Sequence, residues 1–175
     1  MSLSRPRLFY LLVCVALTVP AAGQDRHADP SLESLLPKML GGVTLIIESQ
    51  RGTDLSTTST AFDAFLTNLS KTRGDFTVAS AYSRGRLKAE VGAWGVKGAN
   101  PVLLLLSFKT AVQASSTTAL KSVDDVLAGR KVTRIGDVGQ LTRGPLYVLV
   151  HNNALLFVQT PDRALAEEAI SKLPK

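Results

Sequence analysis

Few residues in this chain have the type and spacing to do chemistry. Of its two histidines, His27 stands in a polar stretch from Gln24 to Asp29, and His151 directly precedes the turn pair Asn152-Asn153. A working His151 would need a carboxylate beside it and a pocket around both; as a turn flank it needs neither. The carboxylate pairs Asp124-Asp125 and Glu167-Glu168 are neighbours in sequence. Such neighbours point to opposite faces of a strand, or diverge by about 100° on a helix, so neither pair converges on one substrate atom. Both read as solvated charge.

Thiol chemistry is excluded more firmly. The single cysteine is Cys14, and it lies in a segment expected to be removed. The chain has no G-x-S-x-G, S-x-x-K, G-x-x-x-x-G-K or G-x-G-x-x-G motif, which excludes the enzyme families built on them. No cofactor, metal site or catalytic residue is expected. Asn68-Leu69-Ser70 matches a glycosylation sequon, but on a packed helix.

Basic residues form two groups, Arg84, Arg86 and Lys88, then Arg130, Lys131 and Arg134. The expected order of elements puts the Arg84-Gly85 turn at one end with Arg51, and the Ala128-Gly129 turn at the other with Arg73. Two separated patches without an aromatic platform do not make a nucleic-acid groove.

The first 23 residues read as a cleavable export signal. Arg5 and Arg7 precede the apolar run Leu8 to Leu17, Pro20 ends it after Thr18-Val19, and Ala21-Ala22-Gly23 gives small residues at −3 and −1. The run is short of the roughly 20 apolar residues that cross a bilayer, so no stable span is expected after cleavage. Removing Arg5 and Arg7 lowers the formal charge from +6 to +4. The expected location is secreted, extracellular or periplasmic, for a domain without disulfides.

The remaining pattern divides into an N-terminal extension, 24–40, and a single domain, 41–175. Asp29-Pro30 opens a short helix carrying Leu32, Leu35 and Leu36. Val43 to Glu48 is a β-branched strand. Thr60 caps a helix with Phe62, Phe65, Leu66 and Leu69 on one face, stopped near Gly74. A hairpin turning at Arg84-Gly85 sets Phe76, Val78, Ser80 and Tyr82 against Ala93, Val91, Ala89 and Leu87, with Glu90 on the wet side. Asn100-Pro101 opens a helix that is apolar nearly all round, hence expected to be deeply buried. Leu120 to Leu127 is ambiguous and preferred as a strand, pairing through Ala128-Gly129 with Lys131 to Ile135. A hairpin through Asn152-Asn153 and a helix capped at Thr160-Pro161-Asp162 complete the chain.

These elements specify an α+β fold: a mainly antiparallel sheet with helices packed on one face. The last hairpin is apolar on both sides. With one face under the helices, Tyr147, Leu149, Leu156, Val158 and, by the hairpin register, Trp94 form a candidate binding face. The N-terminal helix, a partner protein, a second copy of this chain or an apolar ligand could cover it. The sequence therefore points to an exported, non-catalytic domain acting by protein or surface binding. A carrier of an apolar ligand is the alternative, and an unrecognised hydrolase comes third.

Overall fold

The structure is a computed structural model that describes residues 26–175 apart from 57, 58, 86, 138, 139 and 142. The expected signal, 1–23, lies outside the described residues. Among the described residues are four α-helices and a seven-stranded antiparallel sheet, and no helix is long and apolar enough to cross a membrane. The elements are α1 (Pro30–Glu33), the short pair β1 (Met39–Leu40) and β2 (Val43–Thr44), β3 (Ile46–Arg51), α2 (Thr60–Asn68), β4 (Phe76–Tyr82), β5 (Glu90–Val96), α3 (Pro101–Ala114), β6 (Ser122–Leu127), β7 (Arg130–Ile135), β8 (Leu146–His151), β9 (Ala154–Gln159) and α4 (Arg163–Lys172). The large sheet runs β3-β4-β5-β9-β8-β7-β6.

Local chemistry sets most boundaries. Asp29 accepts from Leu32 N ahead of Pro30, Asn100 accepts from Val102 N and Leu103 N ahead of Pro101, and Asp162 accepts from Ala164 N and Leu165 N. Each cap satisfies helix donors that would otherwise be orphaned. The β6–β7 turn has positive φ at Ala128 and Gly129, and the β8–β9 turn has it at Asn152, matching tight-hairpin geometry. The end of α2 departs from expectation. The helix stops at Asn68, five residues short of Arg73, and Ser70 carries the left-handed turn at φ 53°.

Helices cover both faces of the sheet, which corrects the one-faced arrangement. On one face α2 and α3 pack together, and α3 makes its main sheet contacts with β8 and β9. On the other, α1 lies on β3, β4 and β5, while α4 lies on β6 and β9. The β1–β2 pair joins this second layer through Leu40, Gly41 N donating to Glu168 and Lys172 Nζ donating to Met39 O at 2.9 Å.

The β4–β5 register is a second correction. Val78 faces Trp94 and Phe76 faces Val96, three residues away from the expected partners. Residues 83–89 connect the strands, where a two-residue turn was expected. An odd shift turns every side chain of one strand to the opposite face. Trp94 therefore joins Phe76 and Val78, and Glu90 moves with it. Gly92 makes room for this arrangement, since a Cβ there would lie 2.3 Å from Phe157 Cζ. The Arg84-Gly85 connection and the Ala128-Gly129 turn do lie at opposite ends of the sheet. Arg51, however, pairs with Thr77 at the far end from Arg84.

Candidate functional site

The five residues expected to share a binding face do not share one. Tyr147, Leu149, Leu156 and Val158 lie in the core beneath the α1/α4 layer, with Ala166, Ala169 and Ile170 of α4 above them. Trp94 lies on the opposite face. It packs edge-on to Phe76 at 5.3 Å, Phe108 at 5.1 Å and Phe157 at 6.3 Å between ring centroids, geometry that suits the ring quadrupoles. All five are buried. Helix α4, which sequence reading placed on the other side, is the principal cover of the last hairpin, and α1 extends that cover over β3–β5.

The polar candidates separate as their spacing implied. Asp125, on the α4 side, accepts from Arg163 at 3.1 and 3.3 Å; that bond holds its carboxyl below the usual range. Asp124 is exposed on the other side. Glu168 takes Lys172 at 2.6 Å and Gly41 N at 3.1 Å, and these bonds lower its pKa as well. His151 lies within 3.1 Å of Asn152 Nδ2. His27 Nδ1 meets both Glu33 oxygens at 3.1 Å, and Glu33 in turn accepts from Ser49 Oγ at 2.6 Å, so this histidine ties α1 to β3. Among the described residues no group of three His, Cys, Asp or Glu could hold a metal ion.

Among the described residues two concave regions bear on function, one beside α3 on the α2/α3 face and one at the end of the sheet. A third hollow lies between α3 and the start of β6. The first runs beside α3. Val102 is 75% exposed, Leu103 48% and Leu106 57%, contrary to the expectation of deep burial. Apolar periodicity all round a helix shows that any side can be buried; it does not supply a neighbour for each side. Here the sheet supplies one side and α2 another, and the third faces water. Between this helix and the open half of the sheet lies a groove of about 600 Å³. Val102, Leu105 and Leu106 form its wall, and Thr133, Val148 and Val150 form its floor. Its far side reaches the edge strand β6 at Asp124; Val126, on the same face of that strand, is 56% exposed. Lys109 and Lys131 line it beside Asp124, while the Arg130 guanidinium turns to the far face and bonds carbonyls at the end of α4.

No family model, curated protein or solved structure matches this chain, so its own geometry carries the functional argument.

The second region, of about 480 Å³, lies at the end of the sheet where β4 and β9 finish and β5 begins, among Tyr82, Ser83, Leu87, Glu90, Arg143 and Gln159. Glu90 is 4% exposed and pairs with Arg143. Burial pushes its carboxyl up from the ordinary range, with Arg143 pulling the other way. Sequence reading missed Glu90 because the register error put it in water. It missed the α3 stripe because a helix with no charge in its first two turns reads as core.

Proposed function

We propose that the chain is an exported, non-catalytic binding domain, and that it takes an extended acidic and apolar segment of a partner protein in the groove beside α3. The observation that carries this reading is the exposure of Val102 and Leu106 on the helix wall of the groove. Monomers seldom leave a contiguous apolar patch to water without a use for it. The trough is open to solvent, which favours a partner segment over a carried apolar ligand. Lys109 and Lys131 against Asp124 leave it positive, which favours acidic residues on the segment. Strand β6 lies at the edge of the sheet, so an extended segment can also add to it. One donor of that edge is already taken, Val126 N by Asp125 Oδ1 at 2.7 Å.

Peptide selection from a random display library against the processed protein tests the groove. The expected sequences alternate apolar and acidic residues, and Leu106→Asp and Val126→Asp each weaken their binding at least tenfold. Peptides that bind both variants unchanged, or that lack acidic residues, would overturn the reading. So would a concentration-dependent dimer, or sedimentation with anionic vesicles, that Leu106→Asp abolishes. Export is tested separately: N-terminal sequencing of extracytoplasmic protein should begin near Gln24, and finding Met1 there would refute the signal.

A further inference from the structure

The second region carries an inference independent of the groove. Glu90 opens strand β5 and pairs with Gln159, the last residue of β9. One of its oxygens meets Arg143. The other, Oε1, is buried without a hydrogen-bond partner, as is the hydroxyl of Ser83, and both residues line the same pocket. A buried polar atom without a partner is costly, and native chains keep few of them. Two such atoms beside one pocket point to a ligand that supplies what they lack.

The pocket is held in shape by its backbone. Gly144 follows Arg143 at φ +89°, and a Cβ there would lie 2.5 Å from Pro161 N. Gln159 Nε2 donates to Gly144 O at 3.2 Å, and Thr160 Oγ donates to Lys88 O at 2.8 Å. These bonds tie the segments carrying Arg143, Lys88 and Pro161 to the end of β9. The walls are therefore preformed, as in most small-molecule sites, and the volume falls in the range of such sites.

Charge then narrows the ligand. Arg143 already balances Glu90, and Lys88 leaves the lining positive. An entering cation would meet two like charges, and an anion would meet the bare carboxylate oxygen. A neutral donor meets neither penalty. Apolar Leu87, Ala89 and Pro161 offer a surface for the C–H face of a ring. We propose that this pocket is a binding site for a neutral polyhydroxylated ring, a sugar or cyclitol, with one hydroxyl donating to Glu90 Oε1 and another bonded to Ser83.

Ligand-observed NMR and calorimetry on the processed protein test this, using glucose, galactose, mannose, N-acetylglucosamine and myo-inositol as probes. Arginine and citrate serve as the cationic and anionic comparisons. At least one neutral probe should bind; Glu90→Gln should weaken it about tenfold or more, as loss of a charge-assisted hydrogen bond implies, and Ser83→Ala about threefold or more, as loss of a neutral one implies. Binding of no neutral probe, binding only of arginine or citrate, or equal affinity in both variants would overturn the proposal. Should Glu90→Gln fail to fold, Ser83→Ala decides it, since Ser83 lies outside the strands. Peptide binding in the groove and sugar binding here are read separately, so either can fail alone.

Discussion

On the α2/α3 face the sheet meets a cluster of six rings: Phe62, Phe65, Phe76, Trp94, Phe108 and Phe157. On the α1/α4 face it meets mostly alanines, leucines and valines, with Tyr147 the one ring in that buried cluster. The first layer is anchored at its centre and runs out before it reaches β6 and β7. The second is tied down at its rim, by Arg163 on Asp125, Glu168 on Gly41 N, and Arg130 on the carbonyls of Ile170, Leu173 and Pro174 at 3.1, 3.0 and 2.6 Å. Large rings hold a layer through a small central area and leave its margin free. Small side chains need close contact everywhere, so that layer closes. The face with the heavier core is thus the one with room for a partner.

A pair of charge insertions tests this contrast most severely. Leu149→Asp places a carboxylate beneath the closed layer and should cost about 4 kcal/mol or more, a large share of the stability of an ordinary domain. Leu106→Asp places the same group on the open side and should shift stability by less than about 0.5 kcal/mol. Urea unfolding of the two proteins reads both; similar midpoints would erase the difference between the faces.

Truncating the ring cluster comes next. Trp94→Ala should cost about 3–5 kcal/mol, and Leu32→Ala, under α1 on the other face, about 2–5 kcal/mol. The contrast sharpens in near-ultraviolet circular dichroism. Trp94→Ala should remove most of the aromatic signal of the folded protein and Leu32→Ala little of it. Equal loss in both would mean the two layers do not pack independently.

The smallest expected effect is one of sign. Glu90 has a raised pKa in the folded state because burial outweighs Arg143. Its contribution is fullest below the ordinary carboxylate pKa and is lost as pH rises toward the folded value. Asp125 is lowered, first by its hydrogen bond to Arg163, so its contribution is present above the ordinary pKa and lost as pH falls toward the folded value. Wild-type stability minus that of Glu90→Gln should therefore fall with pH across the acid range, and the same difference for Asp125→Asn should rise. Thermal melts between about pH 3 and 7 span the ordinary carboxylate pKa. Two slopes of the same sign would contradict the assigned environments.

Local signals were legible wherever a few adjacent residues decide the outcome. Asn100-Pro101 and Asp29-Pro30 marked helix starts, and Asn152-Asn153 marked a turn whose register, His151 against Ala154, follows directly. The preferred strand at 120–127 is β6, recognisable by its tight turn. What was not legible depended on distance. Nothing near Arg84-Gly85 announces that the connection spans seven residues, and that error alone moved Trp94 and Glu90 to the wrong faces. Only the fold shows α4 crossing to the side of α1. The closed binding face, the open helix and the buried carboxylate all follow from those two long-range facts.

Among the described residues the central strand of the sheet is β9, and of the seven it comes last in the chain. Until residues 154–159 leave the ribosome, β3-β4-β5 and β6-β7-β8 are separate three-stranded pieces. Each then ends in an apolar strand, β5 or β8, that later becomes interior. Both edges wait for the same partner, and unpaired apolar edges invite pairing between chains. Synthesis that halts at Asn153 would leave a chain carrying most of its core residues and no means of uniting them. Strand order alone therefore keeps the two halves of the sheet apart until residues 154–159 are made.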